Sequence, residues 1–128
     1  MSHDDASSVG VGLIMSRNVV AIERNATVRQ AASLMEEKQH GCLIVVSGSL
    51  AIWIISERDI VQKVTSEGVD PSKVFVQDMM STPLITVNNS ATLLEVAERM
   101  CAFNIRKIVV VERTGEFIGL VTSGDIAK

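Results

Sequence analysis

The 128-residue sequence predicts an α/β (α+β) fold made of two copies of one β-α-β-β-α unit. Three observations predict it. Met15-Ser16, an apolar stretch and Asn25-Ala26-Thr27-Val28 return as Met80-Ser81, an apolar stretch and Ser90-Ala91-Thr92-Leu93, at a shift of 65 residues. Ser56-Glu57-Arg58-Asp59-Ile60 returns as Thr122-Ser123-Gly124-Asp125-Ile126 at a shift of 66. The added residue falls in a turn, Ser47-Gly48-Ser49 against Glu112-Arg113-Thr114-Gly115. Within each copy the apolar period also switches from strand to helix and back. A unit of about 60 residues is marginal alone and one of about 130 is not. The copies are therefore expected to pack on each other, and a cleft between them is the first place to look for a ligand.

Met1 to Gly10 is small and polar and reads as a frayed tail that need not be native. Val19-Val20-Ala21-Ile22 and Leu84-Ile85-Thr86-Val87 read as short strands. Thr27 with Gln30, and Thr92 with Glu95, have capping-box spacing, in which the hydroxyl and the side chain three residues on satisfy orphan amides of a helix start. Val28, Ala31, Ala32 and Met35 then recur at helical spacing, as do Leu93, Val96, Ala97, Met100 and Cys101. Cys42 to Val46 and Ile108 to Val111 are β-branched runs, each followed by a turn and a second strand, Leu50 to Ile55 or Glu116 to Val121. These predict hairpins. A helix opens at Ser56 and runs to about Glu67, before Gly68-Val69-Asp70-Pro71. Its counterpart opens at Thr122 with room for little more than a turn. The domain reading is a tail over 1–10, one motif over 11–67, a link over 68–77 and a second motif over 78–128, forming one globular module.

Hydrophobic residues make up 47% of the chain, yet no apolar run exceeds the six residues Leu50 to Ile55. That is far short of the roughly 18 needed for a membrane span. The start does not have the pattern of a secretory signal, so a cytoplasmic location is expected, with no membrane partner. Cys42 and Cys101 form no CxxC and are expected to be reduced, buried small hydrophobes. A net charge of −3 without a basic stripe argues against nucleic acid.

Ser56-x-x-Asp59 and Thr122-x-x-Asp125 are the candidate site. A hydroxyl at a strand-to-helix junction lies beside unpaired first-turn amides that suit a phosphate. A carboxylate one turn on would repel phosphate but accept hydrogen bonds from the vicinal hydroxyls of a ribose. Together they describe a nucleotide. The spacing alone equally fits two plain capping pairs.

The repeat order and the blocks Ile54-Ile55-Ser56-Glu57-Arg58-Asp59 and Gly119-Leu120-Val121-Thr122-Ser123-Gly124-Asp125 resemble the CBS domain, over about residues 12 to 128. That resemblance implies a CBS pair, or Bateman module, with its motifs joined through their sheets around a pseudo-twofold axis. It also implies clefts for adenosine-containing ligands such as AMP, ADP, ATP or S-adenosylmethionine, and a homodimer. By the same resemblance one site joins Ile54, Ser56, Arg58 and Asp59 with Met80, Leu84, Ile85, Arg106 and Lys107. The hydrophobic pair Leu84-Ile85 would meet the base and the basic pair the phosphates. Arg106 and Lys107 also fit a solvated strand edge. The second site joins Leu120, Thr122, Ser123 and Asp125 with Met15, Val19, Val20 and the stretch His40-Gly41-Cys42. Gly41 and Cys42 stand where the other copy has its basic pair, so this site is expected to be the weaker for phosphorylated ligands. Trp53 stands where the second copy has Gly119. By strand alternation it shares a face with Ala51 and Ile55, opposite Ile54, and is expected in the core or a dimer interface.

The function implied is a regulatory module that senses an adenine nucleotide as ligand, with no required cofactor, and transmits this to an unidentified partner protein. The alternative is a docking or dimerisation module with empty clefts. Catalysis has little material. His40 and Cys42 lack an orienting third group, and no HExxH, Cys/His cluster or GxxxxGK loop supplies a metal or phosphate site.

Overall fold

The computed structural model describes residues 8–81 and 83–127. The chain divides into two compact units: a first, Val20–Leu84, and a second that joins the chain up to Val19 with Ile85–Lys128. Of the expected tail, residues 1–7 lie outside those described.

The first unit runs β1 (Ala21–Glu23), α1 (Val28–Lys38), β2 (Cys42–Ser47), β3 (Leu50–Ser56), α2 (Glu57–Glu67) and a 3-10 turn, Val76–Met79. The second holds a 3-10 turn, Val11–Leu13, then β4 (Thr86–Asn88), α3 (Leu93–Phe103), β5 (Lys107–Val111), β6 (Phe117–Thr122) and α4 (Ser123–Ala127). Each unit has one three-stranded sheet, ordered β1-β2-β3 or β4-β5-β6, with a parallel pair and an antiparallel hairpin. This is the β-α-β-β-α order the repeat predicts. The first strand of each is later than expected, since parallel pairing begins only at Ala21 and Thr86.

Both capping boxes form. Thr27 Oγ1 accepts from Gln30 N at 3.1 Å while Gln30 Oε1 accepts from Thr27 N at 2.8 Å, and Thr92 with Glu95 does the same in the second unit. Helices α1 and α3 end on left-handed residues, Gln39 (φ 57°) and Asn104 (φ 53°), whose amides turn back onto the last carbonyls. The core of the first unit is Ile22, Val28, Ala31, Met35, Leu43, Val45, Ile55, Ile60 and Val76. That of the second is Val11, Met15, Val87, Ala91, Val96, Met100, Ile108, Val110 and Val121. Helical apolar stripes are narrower than expected. Ala32 and Cys101 are exposed, because each lies about 100° around the helix from the buried Ala31 and Met100. The expectation of two buried cysteines is corrected accordingly: Cys42 is half-buried and Cys101 exposed.

Both hairpins carry a bulge. Val45 pairs with Trp53 but Val46 with Ala51, and Val110 pairs with Gly119 but Val111 with Phe117, so Ile52 and Ile118 are the extra residues. The bulge overturns one expectation. Trp53 shares the helix-covered face with Ile55, whereas Ala51, opposite Val46, is turned to the other face with Ile44 and Ile54. Plain alternation fails because one residue has been inserted between Ala51 and Trp53.

The stretch expected as a link is built into the first unit. Val28 N donates to Val74 O and Val76 N to Ala26 O, both at 2.8 Å, and Val76 is wholly buried. In the second unit residues 9–11 do the same: Leu93 N donates to Val9 O at 2.9 Å and Val11 N to Ala91 O at 2.8 Å. Among the described residues no helix is long and apolar enough to cross a membrane.

A cavity at Val76 has no surface to relax into. Val76→Ala is expected to lower stability by about 2 kcal/mol, while Lys73→Ala on the exposed part of the same stretch stays within about 0.5 kcal/mol. Urea unfolding followed by circular dichroism measures both.

Candidate functional site

The hydroxyl-to-carboxylate corners form because a strand ends one residue before a helix begins. Ser56 closes β3 and caps α2. Its Oγ accepts from Asp59 N at 3.1 Å, and Asp59 Oδ2 accepts from Ser56 N at 2.9 Å. Thr122 and Asp125 repeat this at the start of α4, at 3.2 and 2.8 Å. Each carboxylate thus uses one oxygen to satisfy its own helix start and has the other, Oδ1, without a protein partner among the described residues. Capping and ligand contact are compatible uses of the same side chain.

What stands beside each corner differs. Ser123 N donates to Arg106 O at 2.9 Å, which makes Lys107 and Thr122 a non-hydrogen-bonded cross-strand pair. Such pairs have Cα atoms about 4.5 Å apart and close side chains. In the first unit Glu57 N donates to Gly41 O at 2.9 Å and the matching pair is Cys42 with Ser56. The Thr122 corner therefore has a lysine beside it and the Ser56 corner a thiol.

Of the first predicted site, Ile54, Ser56, Arg58, Asp59, Met80 and Leu84 lie in the first unit, whereas Ile85, Arg106 and Lys107 lie in the second. Asp59 and Met80 are brought together. They line one pocket of about 350 Å³ with Trp53, Gln62, Lys63, Asp78, Met79 and Ser81. Arg58 is exposed on the first turn of α2. Of the second predicted site, Met15, Val19, Leu120, Thr122, Ser123 and Asp125 fall in the second unit and Val20 in the first. Met15 is buried against Gly119, and Leu120 pairs through its backbone with Ser16. His40 and Gly41 line a different cleft of about 510 Å³ between α1 and α2, with Met35, Glu36, Glu57 and Ile60.

Sequence reasoning missed Trp53, Lys63, Asp78 and Met79 as pocket walls. Lys63 is tied to Glu67 at 3.0 Å, and Asp78 Oδ2 accepts from Phe75 N at 3.1 Å. A signal for this wall existed: Val74-Phe75-Val76 matches Val9-Gly10-Val11 at the repeat shift of 65, which marks the stretch as structured. Among the described residues no three His, Cys, Asp or Glu side chains group to hold a metal ion.

The CBS domain family model matches residues 9–66 and again 76–128. An uncharacterized protein of Methanopyrus kandleri is 37% identical over 122 residues, which cover 94% of this chain and 62% of that protein. The CBS domain-containing protein YhcV of Bacillus subtilis is 30% identical over 113 residues, covering 88% of this chain and 79% of its own. This chain thus spans less than two thirds of the archaeal relative. Among solved structures, the hexameric CBS-CP12 protein from bloom-forming cyanobacteria superposes with a TM-score of 0.82 at 32% identity, over 94% of this chain and 67% of its own. The cytosolic domain of the Mg2+ channel MgtE, solved in complex with ATP, gives 0.80 at 21% identity, over 96% of this chain and 49% of its own. The CBS domain pair of protein MJ0100, solved with 5'-methylthioadenosine and S-adenosyl-L-methionine, gives 0.79 at 24% identity, over 93% and 97%. These last two likenesses are of fold.

Removing the Ser56 cap in Ser56→Ala is expected to cost about 1 kcal/mol, whereas Arg58→Ala stays within about 0.5 kcal/mol. The two unfolding midpoints in urea check it.

Proposed function

Since this chain belongs to the CBS domain family, we propose that it is a regulatory, non-catalytic module that binds an adenosine-containing nucleotide and passes that signal to a partner protein. The observation that carries the reading is the meeting of Asp59 and Met80 on one pocket of the first unit. Asp59 keeps Oδ1 for a ribose hydroxyl while Oδ2 caps α2. Leu84 of the same unit supplies an apolar contact for the base. The ATP of the MgtE domain and the S-adenosyl-L-methionine of the MJ0100 pair, on the same fold, support an adenosine ligand class.

Met15, Val19, Leu120, Thr122, Ser123 and Asp125 of the second unit, with Lys107 beside Thr122, form a second place for a similar ligand in this reading. The ligand acts by biasing conformation, and it shifts that equilibrium only by its difference in affinity for the two states. The module needs no cofactor, works in the cytoplasm and forms a homodimer. Val61 on α2 and Leu94 and Phe103 on α3, all more than half exposed, support an apolar contact between copies.

A thermal-melt screen against AMP, ADP, ATP, adenosine, NAD and S-adenosylmethionine tests the reading. A ligand at about 100 times its Kd stabilises by roughly 2.7 kcal/mol, on the order of 10 °C for this size. One adenosine compound is expected to give that shift, and Asp59→Ala to abolish it while the apo protein stays folded. Flat melts at millimolar ligand would sink the sensor and leave a docking module.

A further inference from the structure

The two units differ sharply at one position of matching hairpins. Gly119 stands opposite Val110 and Trp53 opposite Val45, each beside the same bulge. Glycine at 119 answers a close approach: a Cβ there would lie 2.6 Å from Met15 Sδ and 2.9 Å from the Ser16 carbonyl oxygen. That neighbouring segment pairs with the edge of β6. Ser16 N donates to Leu120 O at 2.8 Å and Leu120 N to Ser16 O at 2.9 Å.

By the repeat, Ser81 should pair with Ile54 in the same way. Ile54 is ready for it. The bond from Glu57 N to Gly41 O sets the alternation so that Ile54 and Ile44 are a non-hydrogen-bonded pair, and the Ile54 N–H and C=O therefore point to the sheet edge. Among the described residues no bond joins Ile54 to Ser81. Met15 is buried at 8% exposure, while its counterpart Met80 is only half-buried.

We propose that Trp53 is a wedge. Even a Cβ is too large for the approach seen over Gly119, and an indole keeps the Met80–Ser81 backbone off β3. The Met79–Ser81 stretch, which walls the Asp59 pocket, is then free of strand pairing and able to move, while its counterpart in the second unit is pinned by two hydrogen bonds. Trp53 is a positioning residue that makes the first unit pliable and the second rigid. The consequence for ligand binding rests on the nucleotide reading of Asp59; the wedge itself does not.

Native-state amide exchange by NMR on the whole chain tests the wedge without any ligand. The amides of Ser81 and Ile54 are expected to exchange at least about tenfold faster than those of Ser16 and Leu120. Trp53→Gly should slow them toward the Ser16 and Leu120 values, and Trp53→Ala should not, since its Cβ still meets the segment. Equal protection of both pairs in the wild type overturns the proposal, as does alanine slowing exchange as much as glycine. If Trp53→Gly fails to fold, the wild-type comparison decides, joined by Gly119→Ala, which should speed Ser16 and Leu120. A thermal shift absent in the wild type itself would count against the nucleotide reading and leave the exchange pattern to judge the wedge.

Discussion

A valine laid across the loop before a helix holds each unit closed. Val76 donates its amide to Ala26 O, and two residues earlier Val74 O receives the amide of Val28, the first residue of α1. Val11 and Val9 do the same at the start of α3. These bonds take up helix-start groups that capping alone leaves unpaired, and burial of each central valine contributes about 1.5–3 kcal/mol. Helix position follows from this fastening. Met35 and Met100 are set over their sheets, the strands beneath become buried, and the third strand ends where the hydroxyl-to-carboxylate corner begins.

The corners show how one backbone serves two chemistries. Ser56 and Asp59 have the same bonds as Thr122 and Asp125, within a tenth of an ångström. Their surroundings are set by single substitutions in neighbouring strands: lysine against cysteine across the hairpin, glycine against tryptophan near the edge. Neither change alters the pairing within the hairpin. A duplicated unit can thus keep its core and cap while its two corners diverge in charge and stiffness, since function lies in what is grafted on the fold.

Most of the fold was legible because it rests on local chemistry. Thr27 with Gln30, and Thr92 with Glu95, announce helices by bonds made within four residues, and the β-branched runs from Cys42 and Ile108 announce strands by their own stiffness. The bulges at Ile52 and Ile118 were not legible. An extra residue inside an apolar run leaves the composition unchanged and only reverses the facing of what lies beyond it, and Ala51 was misplaced for that reason. The reach of Val76 back to Ala26 was hidden as well, because closing a segment of some 50 residues leaves no mark on either end. At the two corners, the bonds of Ser56 with Asp59 and of Thr122 with Asp125 were readable from spacing. Lys63 stands one helical turn beyond Asp59 on α2, whereas Asp78 and Met79 reach the Asp59 pocket only through tertiary closure.

That closure has a direction in time. During synthesis the first unit is complete once the chain has passed Leu84, for both its helices and the valine that fastens them have then been made. Val11, made early, has no Ala91 to bond and no Val96 to lie against until the second repeat follows. An apolar N-terminal strap therefore waits in the nascent chain while a finished unit folds behind it. Such a waiting segment is open to holdase chaperones and to the wrong loop, the one before α1 that Val76 is meant to fill.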